Sequence, residues 1–294
     1  MASFNRVKAM NLANKLSVPG ITVSQIIVAL ENASKSARKT WGKACRKLAK
    51  FLVRLRSGNL TGKTAFSVFA KGNSKLPFWA FSALPLITCP GAGDCASFCY
   101  SLKSWRYPNA FMRQFQNTVL IKFFPGVILE SFRKLPQDSI LRLYVDGDFD
   151  SKKTVEYWFN LLSSRSDIKA YGYSKSWDEI YSFFTSSDGF WPKNYKLNLS
   201  SGGRIREVSR DVMAMLPGIR GEFLAVKIDP KLMVKGRFSL DQYHAAVRET
   251  GREITGKTVF SCPGECGSCS VRGMHACGTD FEKFQNVPIA IGIH

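Results

Sequence analysis

The sequence predicts an α/β protein: a mainly parallel sheet, or a partial (β/α) barrel, behind a basic helical N-terminal extension. Three observations predict it. From about residue 78 onward, short apolar runs alternate with amphipathic stretches of helical length, the pattern of strands joined by crossover helices. Before that point the chain reads as helix and is dominated by Lys and Arg. The 294 residues are 45% hydrophobic and 13% aromatic, enough to bury a large core and too apolar for a disordered chain. The division falls near residue 60: residues 1–60 form a basic, nucleic-acid-binding extension, and residues 61–294 form the α/β domain.

In the extension, Thr22 and Gln25 have the form of a capping box that opens an apolar helix over Val23 to Ala33. The basic run follows: Lys35, Arg38, Lys39, Lys43, Arg46, Lys47, Lys50, Arg54 and Arg56. No carboxylate occurs between Glu31 and Asp94, while Lys and Arg occur twelve times. Trp41, Leu48, Phe51, Leu52 and Leu55 fall near helical spacing, so one face packs while the other stays cationic. A merely solvated face would mix both signs. Lys35, Arg38, Lys39, Lys43, Arg46, Lys47, Lys50 and Arg54 are therefore candidate phosphate contacts, with an anionic membrane surface as the competing reading.

In the second part, Phe81–Thr88, Ile140–Val145, Ile168–Tyr173, Tyr195–Leu199, Glu222–Ile228 and Thr258–Ser261 read as strands. Helices are expected over Asn109–Phe124, Ser151–Ser164, Ser176–Thr185 and Arg206–Met215. A last helix is expected over Ser239 to Thr250, with Gly251 ending it and Asp150 capping the helix at 151.

The net charge of +20 points to a polyanionic partner, nucleic acid first and DNA ahead of RNA. No apolar run is long enough to span a membrane, and Met1 to Leu16 lacks the apolar stretch of a secretion signal. The expected compartment is the cytoplasm, where disulfides are disfavoured. The eight cysteines then need another explanation.

Seven of them fall in two groups, Cys89, Cys95 and Cys99, then Cys262, Cys266, Cys269 and Cys277. Each group opens with Cys-Pro-Gly directly after an expected strand, and such loops let several thiolates converge on one point. An iron–sulfur cluster of the [4Fe-4S] type is the first reading and zinc the alternative, since thiolates suit both. The three-then-two spacing of Cys262, Cys266 and Cys269 is that of clusters with one open iron. His275 reads as a surface residue and Cys45 as a small packing residue.

Asp146 and Asp148 follow the second main strand, where ligands of parallel sheets bind. If the chain stays extended they share one side and could hold a divalent ion; they are the candidate catalytic acids. A plain turn with capping acids explains the same letters. Gly251-Arg-Glu-Ile-Thr-Gly256-Lys257-Thr258 has the letters of a P-loop, but it leaves a helix and enters a strand, the reverse of the required context. The three histidines include no paired metal site of the rolling-circle nickase kind, and no nucleophile elbow is present.

Lys71-Gly-Asn-Ser-Lys75-Leu, then Thr88-Cys-Pro-Gly, Cys95 and Cys99-Tyr100, resemble the phage Gene product 88 family. Asp146-Gly-Asp148-Phe149 and Tyr171-Gly-Tyr173-Ser-Lys175 match as later motifs, so the resemblance covers roughly residues 70–280. It implies a phage or plasmid setting, in which replication initiation or nucleic-acid processing is the natural task for so basic a protein. A looser likeness to radical S-adenosylmethionine enzymes rests on three cysteines after the first strand, an acidic turn after the second and a C-terminal cysteine group. Cys89, Cys95 and Cys99 depart from that family in being spaced five-then-three. A zinc-stapled binding module without catalysis is the remaining alternative.

Overall fold

The computed structural model describes residues 2–60, 62–72, 78–204, 207–229, 239–264, 269–271 and 274–293. Three helices come first: α1 (Ala2–Lys15), α2 (Val23–Lys35) and α3 (Lys39–Arg56). The expected capping box opens α2, with Thr22 Oγ1 accepting from the Gln25 N–H and Gln25 returning a bond to the Thr22 N–H. In α3 the apolar residues Trp41, Ala44, Cys45, Leu48, Leu52 and Leu55 are buried. Burial pushes the Cys45 thiol up to about 11, which fits an inert packing residue.

That buried face rests on α4 (Pro108–Phe123), where the Phe111 ring lies 5.4 Å from Trp41. The helical segment and the α/β part thus share one core. α4 carries Gln114, Gln116, Asn117 and Thr118, all buried. Gln116 pairs with both the N–H and the C=O of Phe66, at 2.8 and 2.7 Å. Asn117 donates to the carbonyls of Val68 and Ser82, each at 2.9 Å. These amides satisfy backbone groups of a buried segment that has little ladder of its own, a necessity once water is excluded.

The remaining elements follow in chain order: β1 (Ala70–Lys71), β2 (Trp79–Ala80), α5 (Pro125–Arg133), β3 (Ile140–Leu143), α6 (Lys152–Ser163), β4 (Lys169–Ser174), α7 (Trp177–Phe184), β5 (Tyr195–Ser200), α8 (Arg210–Ala214), β6 (Ile219–Lys227), α9 (Leu240–Thr255), β7 (Phe260–Ser261), β8 (Ser270–Val271), β9 (Met274–His275) and β10 (Ile289–Ile293). One eight-stranded sheet runs β1-β2-β3-β4-β5-β6-β10-β7, and β8 pairs with β9 separately. Every pair from β2 to β7 is parallel; only β1 runs against its neighbour. The α/β class with a mainly parallel sheet is therefore as expected.

Alternation along the strands sorts two faces. Leu141, Leu143, Ala170, Leu197 and Leu199 join the core beneath the helices, and Leu224, Val226 and Ala290 pack with Val247 of α9. Tyr171, Ile289 and the half-buried Ile140, Tyr173 and Phe223 turn the other way. There they meet Ala276, Cys277 and Phe284, so the segment that follows the second cysteine group covers that face.

Several boundaries differ from expectation. Phe81–Thr88 is not a strand along its length: β2 precedes it, and residues 85–88 form a turn with Leu86 at φ +68°. Pro85, which cannot donate to a ladder, explains the stop. α9 runs past Gly251 to Thr255, with Gly256 at φ +67° as its left-handed cap. Gly251 lies inside the helix, where a Cβ would sit 3.0 Å from Val259 Cγ1, so the close packing rather than a helix stop accounts for the glycine. The cap of α6 is Ser151 rather than Asp150; Asp150 instead accepts from the hydroxyls of Ser151 and Thr154. α8 begins at Arg210, and Arg206 lies outside the described residues.

Candidate functional site

The carboxyl ends of β2, β3, β4 and β5 lie side by side because the strands are parallel neighbours, and their loops build one rim. Thr88 joins the first two. Its hydroxyl donates to the Leu84 carbonyl at 2.9 Å and accepts from the Asp148 N–H at 3.2 Å. Gly147 adopts φ +80°, and a Cβ on it would lie 2.6 Å from Thr88 Oγ1, so only glycine fits this turn. The first cysteine loop is then clamped to the loop after β5. The Cys95 N–H donates to Gly202 O at 3.1 Å, the Arg204 N–H to Gly91 O at 3.2 Å, and Ala92 bridges Gly203.

Gly147 also interrupts the extended run that would have set both acids on one side. Asp146 accepts from Gln114 Nε2 at 2.9 Å. Asp148 is buried and turns toward β4: Oδ1 accepts from Ser174 Oγ at 2.7 Å and the Phe149 N–H at 2.8 Å, and Oδ2 from the Lys175 N–H at 2.7 Å. Lys175 Nζ reaches on to Ser200 Oγ at 2.7 Å, tying β4 to β5. Burial raises the pKa of both carboxyls above the ordinary carboxylate value, with hydrogen bonding acting against it. Cys89 is pushed up in the same way, by burial first and then by the nearby Asp148 and Cys99.

The described cysteines of the second group, Cys262, Cys269 and Cys277, sit on the sheet face opposite most of the helices. Cys262 leaves β7, its N–H donating to Ala290 O at 2.7 Å. Cys277 is buried, and its thiol is pushed up to about 12 by burial, with Cys262 and Cys269 adding to the shift. A hydrogen bond with Tyr173 and the charge of Arg220 act in the opposite direction. Asn198 Nδ2 donates to Cys277 O at 2.8 Å and to Gly172 O at 3.0 Å, and its Oδ1 accepts from Arg220 Nε at 2.5 Å. His275 is buried rather than on the surface, packed edge-on to Phe78 at 5.1 Å because the sheet face is covered there. Its Nδ1 has no hydrogen-bond partner among the described residues, and burial lowers its pKa.

Cys266 lies outside the described residues. None of the described cysteines forms a disulfide, and among the described residues no group of three or more Cys, His, Asp or Glu side chains is arranged to hold a metal ion. Cys99 lies near enough to Cys89, and Cys262 and Cys269 near enough to Cys277, to help raise the pKa of those two thiols.

On α3 and just before it, Lys35, Arg38, Lys39, Lys43, Arg46, Lys47 and Lys50 are exposed, and Arg54 is half-buried. Arg54 Nη2 donates to Lys63 O at 2.8 Å, and Lys47 Nζ lies 4.9 Å from the Phe66 ring centre. Among the described residues, no carboxylate forms an ion pair with any of them. No described helix is long and apolar enough to cross a membrane.

Sequence reasoning missed Asn198 and Arg220, for which polar residues inside apolar strands were the available signal, and it read Lys175 only as a letter of the Tyr171–Lys175 motif. Against known proteins, a family model described as Gene product 88 matches residues 50–272. No curated protein and no solved structure matches.

Proposed function

The chain belongs to the Gene product 88 family, and from that premise we propose that it is an iron–sulfur, nucleic-acid-binding protein acting in the replication or nucleic-acid processing of a phage or plasmid. One observation carries the partner: the exposed cations from Lys35 to Lys50 have no carboxylate pairing with them among the described residues. A folded core needs no such stripe, and phosphates are its natural counter-charge.

The cysteine groups support the cofactor through their chemistry. Cys262 and Cys269 each lie close enough to Cys277 to raise its pKa, and Arg220 offers a buried positive charge beside Cys277. The orphaned Nδ1 of His275 is a neutral, buried nitrogen two residues from Cys277. The buried Cys277 thiol, its pKa raised, becomes a thiolate only when a cation takes the proton's place, so thiol packing without metal is compatible with this site. By sequence Cys266 belongs to the second group, and Cys89, Cys95 and Cys99 make up the other. A bound cluster would supply one-electron chemistry. Asp146 and Asp148 are the acids proposed for any strand chemistry.

The test is anaerobic purification with iron, sulfide and zinc analysis, followed by DNA binding across a salt series. Bound iron and sulfide with affinity falling steeply in salt is the expected result. Zinc alone would leave a stapled binding module, and a salt-independent affinity would remove the nucleic-acid partner. Unchanged activity after replacing both Asp146 and Asp148 with Asn would remove the catalytic assignment.

A second reading, a radical enzyme acting on nucleic acid, is favoured by the rim itself. The Cys89–Cys99 loop leaves the first parallel strand beside Asp148, Lys175, Ser200 and Gly202, where a sulfonium cofactor would have polar partners. Reductive cleavage of S-adenosylmethionine by the reduced protein would select it.

A further inference from the structure

Phe98, Tyr100 and Tyr107 are 40%, 60% and 55% exposed. Among the described residues whose side chains are placed, every other aromatic ring is buried or half-buried. Burying a ring of this size is worth about 1.5–3 kcal/mol, so three rings left in water within ten residues call for a reason beyond folding.

Two of the three rings have defined contacts. Tyr100 Oη donates to Val145 O at 2.9 Å, so its polar atom faces the protein while the ring stays accessible. The 3₁₀ segment Tyr100–Arg106 between them is held by buried Ser101, Leu102 and Trp105, and Trp105 Nε1 donates to Gln114 Oε1 at 2.8 Å. The Arg106 guanidinium lies 4.8 Å from the Tyr107 ring centre. The segment that carries the rings is basic: Lys103 and Arg106 are exposed, and no acid occurs in the sequence between Asp94 and Glu130, though Asp146 lies near Tyr100.

The rings also border the rim. Phe98 lies between Cys95 and Cys99, and the carbonyl that holds Tyr100 belongs to the residue just before Asp146. Accessible rings interleaved with cations are the composition of a platform for unpaired bases, whose faces stack on aromatics while lysine and arginine meet the phosphates. Duplex DNA keeps its base faces covered and gains only the cations.

We propose that Phe98, Tyr100 and Tyr107 form a base-stacking platform for single-stranded nucleic acid at the mouth of the Cys89–Asp146 rim. The inference rests on the nucleic-acid reading above and adds to it the strand state. The probe is a fluorescein-labelled oligothymidylate of roughly twenty nucleotides, a length that spans a site of ordinary size. It is compared with a duplex of equal length on the full chain. Tyr100→Ala and Tyr107→Ala are each expected to weaken single-strand binding about 5-fold or more, since one stacked base contributes on that scale. Duplex binding should change less than about 2-fold. Tyr100→Phe keeps the ring without the Val145 bond and should retain affinity, which separates stacking from folding. Equal losses on both probes, or none on the single strand, would overturn the platform while leaving the basic helix as a duplex contact. A wild-type chain that binds neither probe would overturn the platform together with the nucleic-acid reading.

Discussion

The side-chain amide of Asn198, in the middle of β5, donates to the backbone carbonyl of Cys277 at 2.8 Å. The same residue accepts from Arg220 Nε, and Arg220 Nη1 donates to the carbonyls of Phe284 and Val287 at 2.9 and 2.7 Å. A fully buried guanidinium is thus held by an amide and by carbonyls, with no carboxylate pairing with it among the described residues. Its neighbours of opposite tendency are the Cys277 thiol and the Tyr173 phenol. This network carries the segment that follows the second cysteine group across the sheet.

Asn198→Ala should therefore destabilise the fold well beyond one ordinary hydrogen bond. It removes the side-chain partner of Arg220 Nε and of the Cys277 carbonyl in a buried site, a loss of about 3 kcal/mol. Thermal unfolding should show the midpoint falling by on the order of 6–12 °C. A drop of only a degree or two would mean that the network relaxes around the gap.

The alternation of strand and helix from β3 to β6 was legible because each apolar run is short and each crossover helix is amphipathic. The cysteine groups were legible as letters. Other features depend on distance in the chain. Arg220 reads locally as one polar residue beside a strand, and its partners lie 22, 64 and 67 residues away. β10 escaped notice because its apolar run near the C-terminus has no helix after it, yet it inserts between β6 and β7. Gly251 looked like a helix stop because local propensity does not register a close neighbour such as Val259.

Asp148 joins the end of β3 to that of β4 through two of its three accepted bonds, so its first role is to fix the rim. Asp148→Ala should cost about 2–4 kcal/mol by orphaning the Lys175 and Phe149 N–H groups and the Ser174 hydroxyl. Limited proteolysis would then cut first in the loops after β3 and β4. A cleavage pattern identical to that of the native chain would show that Thr88 and Gly147 hold the turn unaided.

Acid should weaken a different tie. Arg165 grips Asp167 with two hydrogen bonds, at 2.8 and 2.6 Å, and also reaches the Leu135 carbonyl. The hydrogen bonds from Arg165 hold the Asp167 carboxyl down at about 2. A carboxyl depressed in the folded state stabilises above its unfolded value of about 3.9, and that gain is lost as pH falls toward about 2. The pair is partly exposed, so the effect is small and screened by salt. Stability against pH should therefore be shallower between about pH 4 and pH 2 for Asp167→Asn than for the native chain, the two curves meeting at the acid end. Parallel curves would show that the pair contributes nothing.

The basic stripe makes the sharpest quantitative demand. Lys43, Arg46 and Lys50 are exposed on α3, and their neighbours Ala44, Leu48 and Leu52 already supply its packing. Replacing the three cations with Ala should leave the melting temperature nearly unchanged, because alanine is the best helix former and no ion pair is lost. The effect should fall on binding. Each phosphate contact removed lowers the slope of log affinity against log salt by about 0.9 for a duplex, so the triple variant should be flatter by about 2–3. Affinity at low salt should fall at the same time, and the two chains should converge as salt rises. A variant that lost affinity without losing slope would place the phosphate contacts elsewhere on the chain and leave α3 as a solvated face.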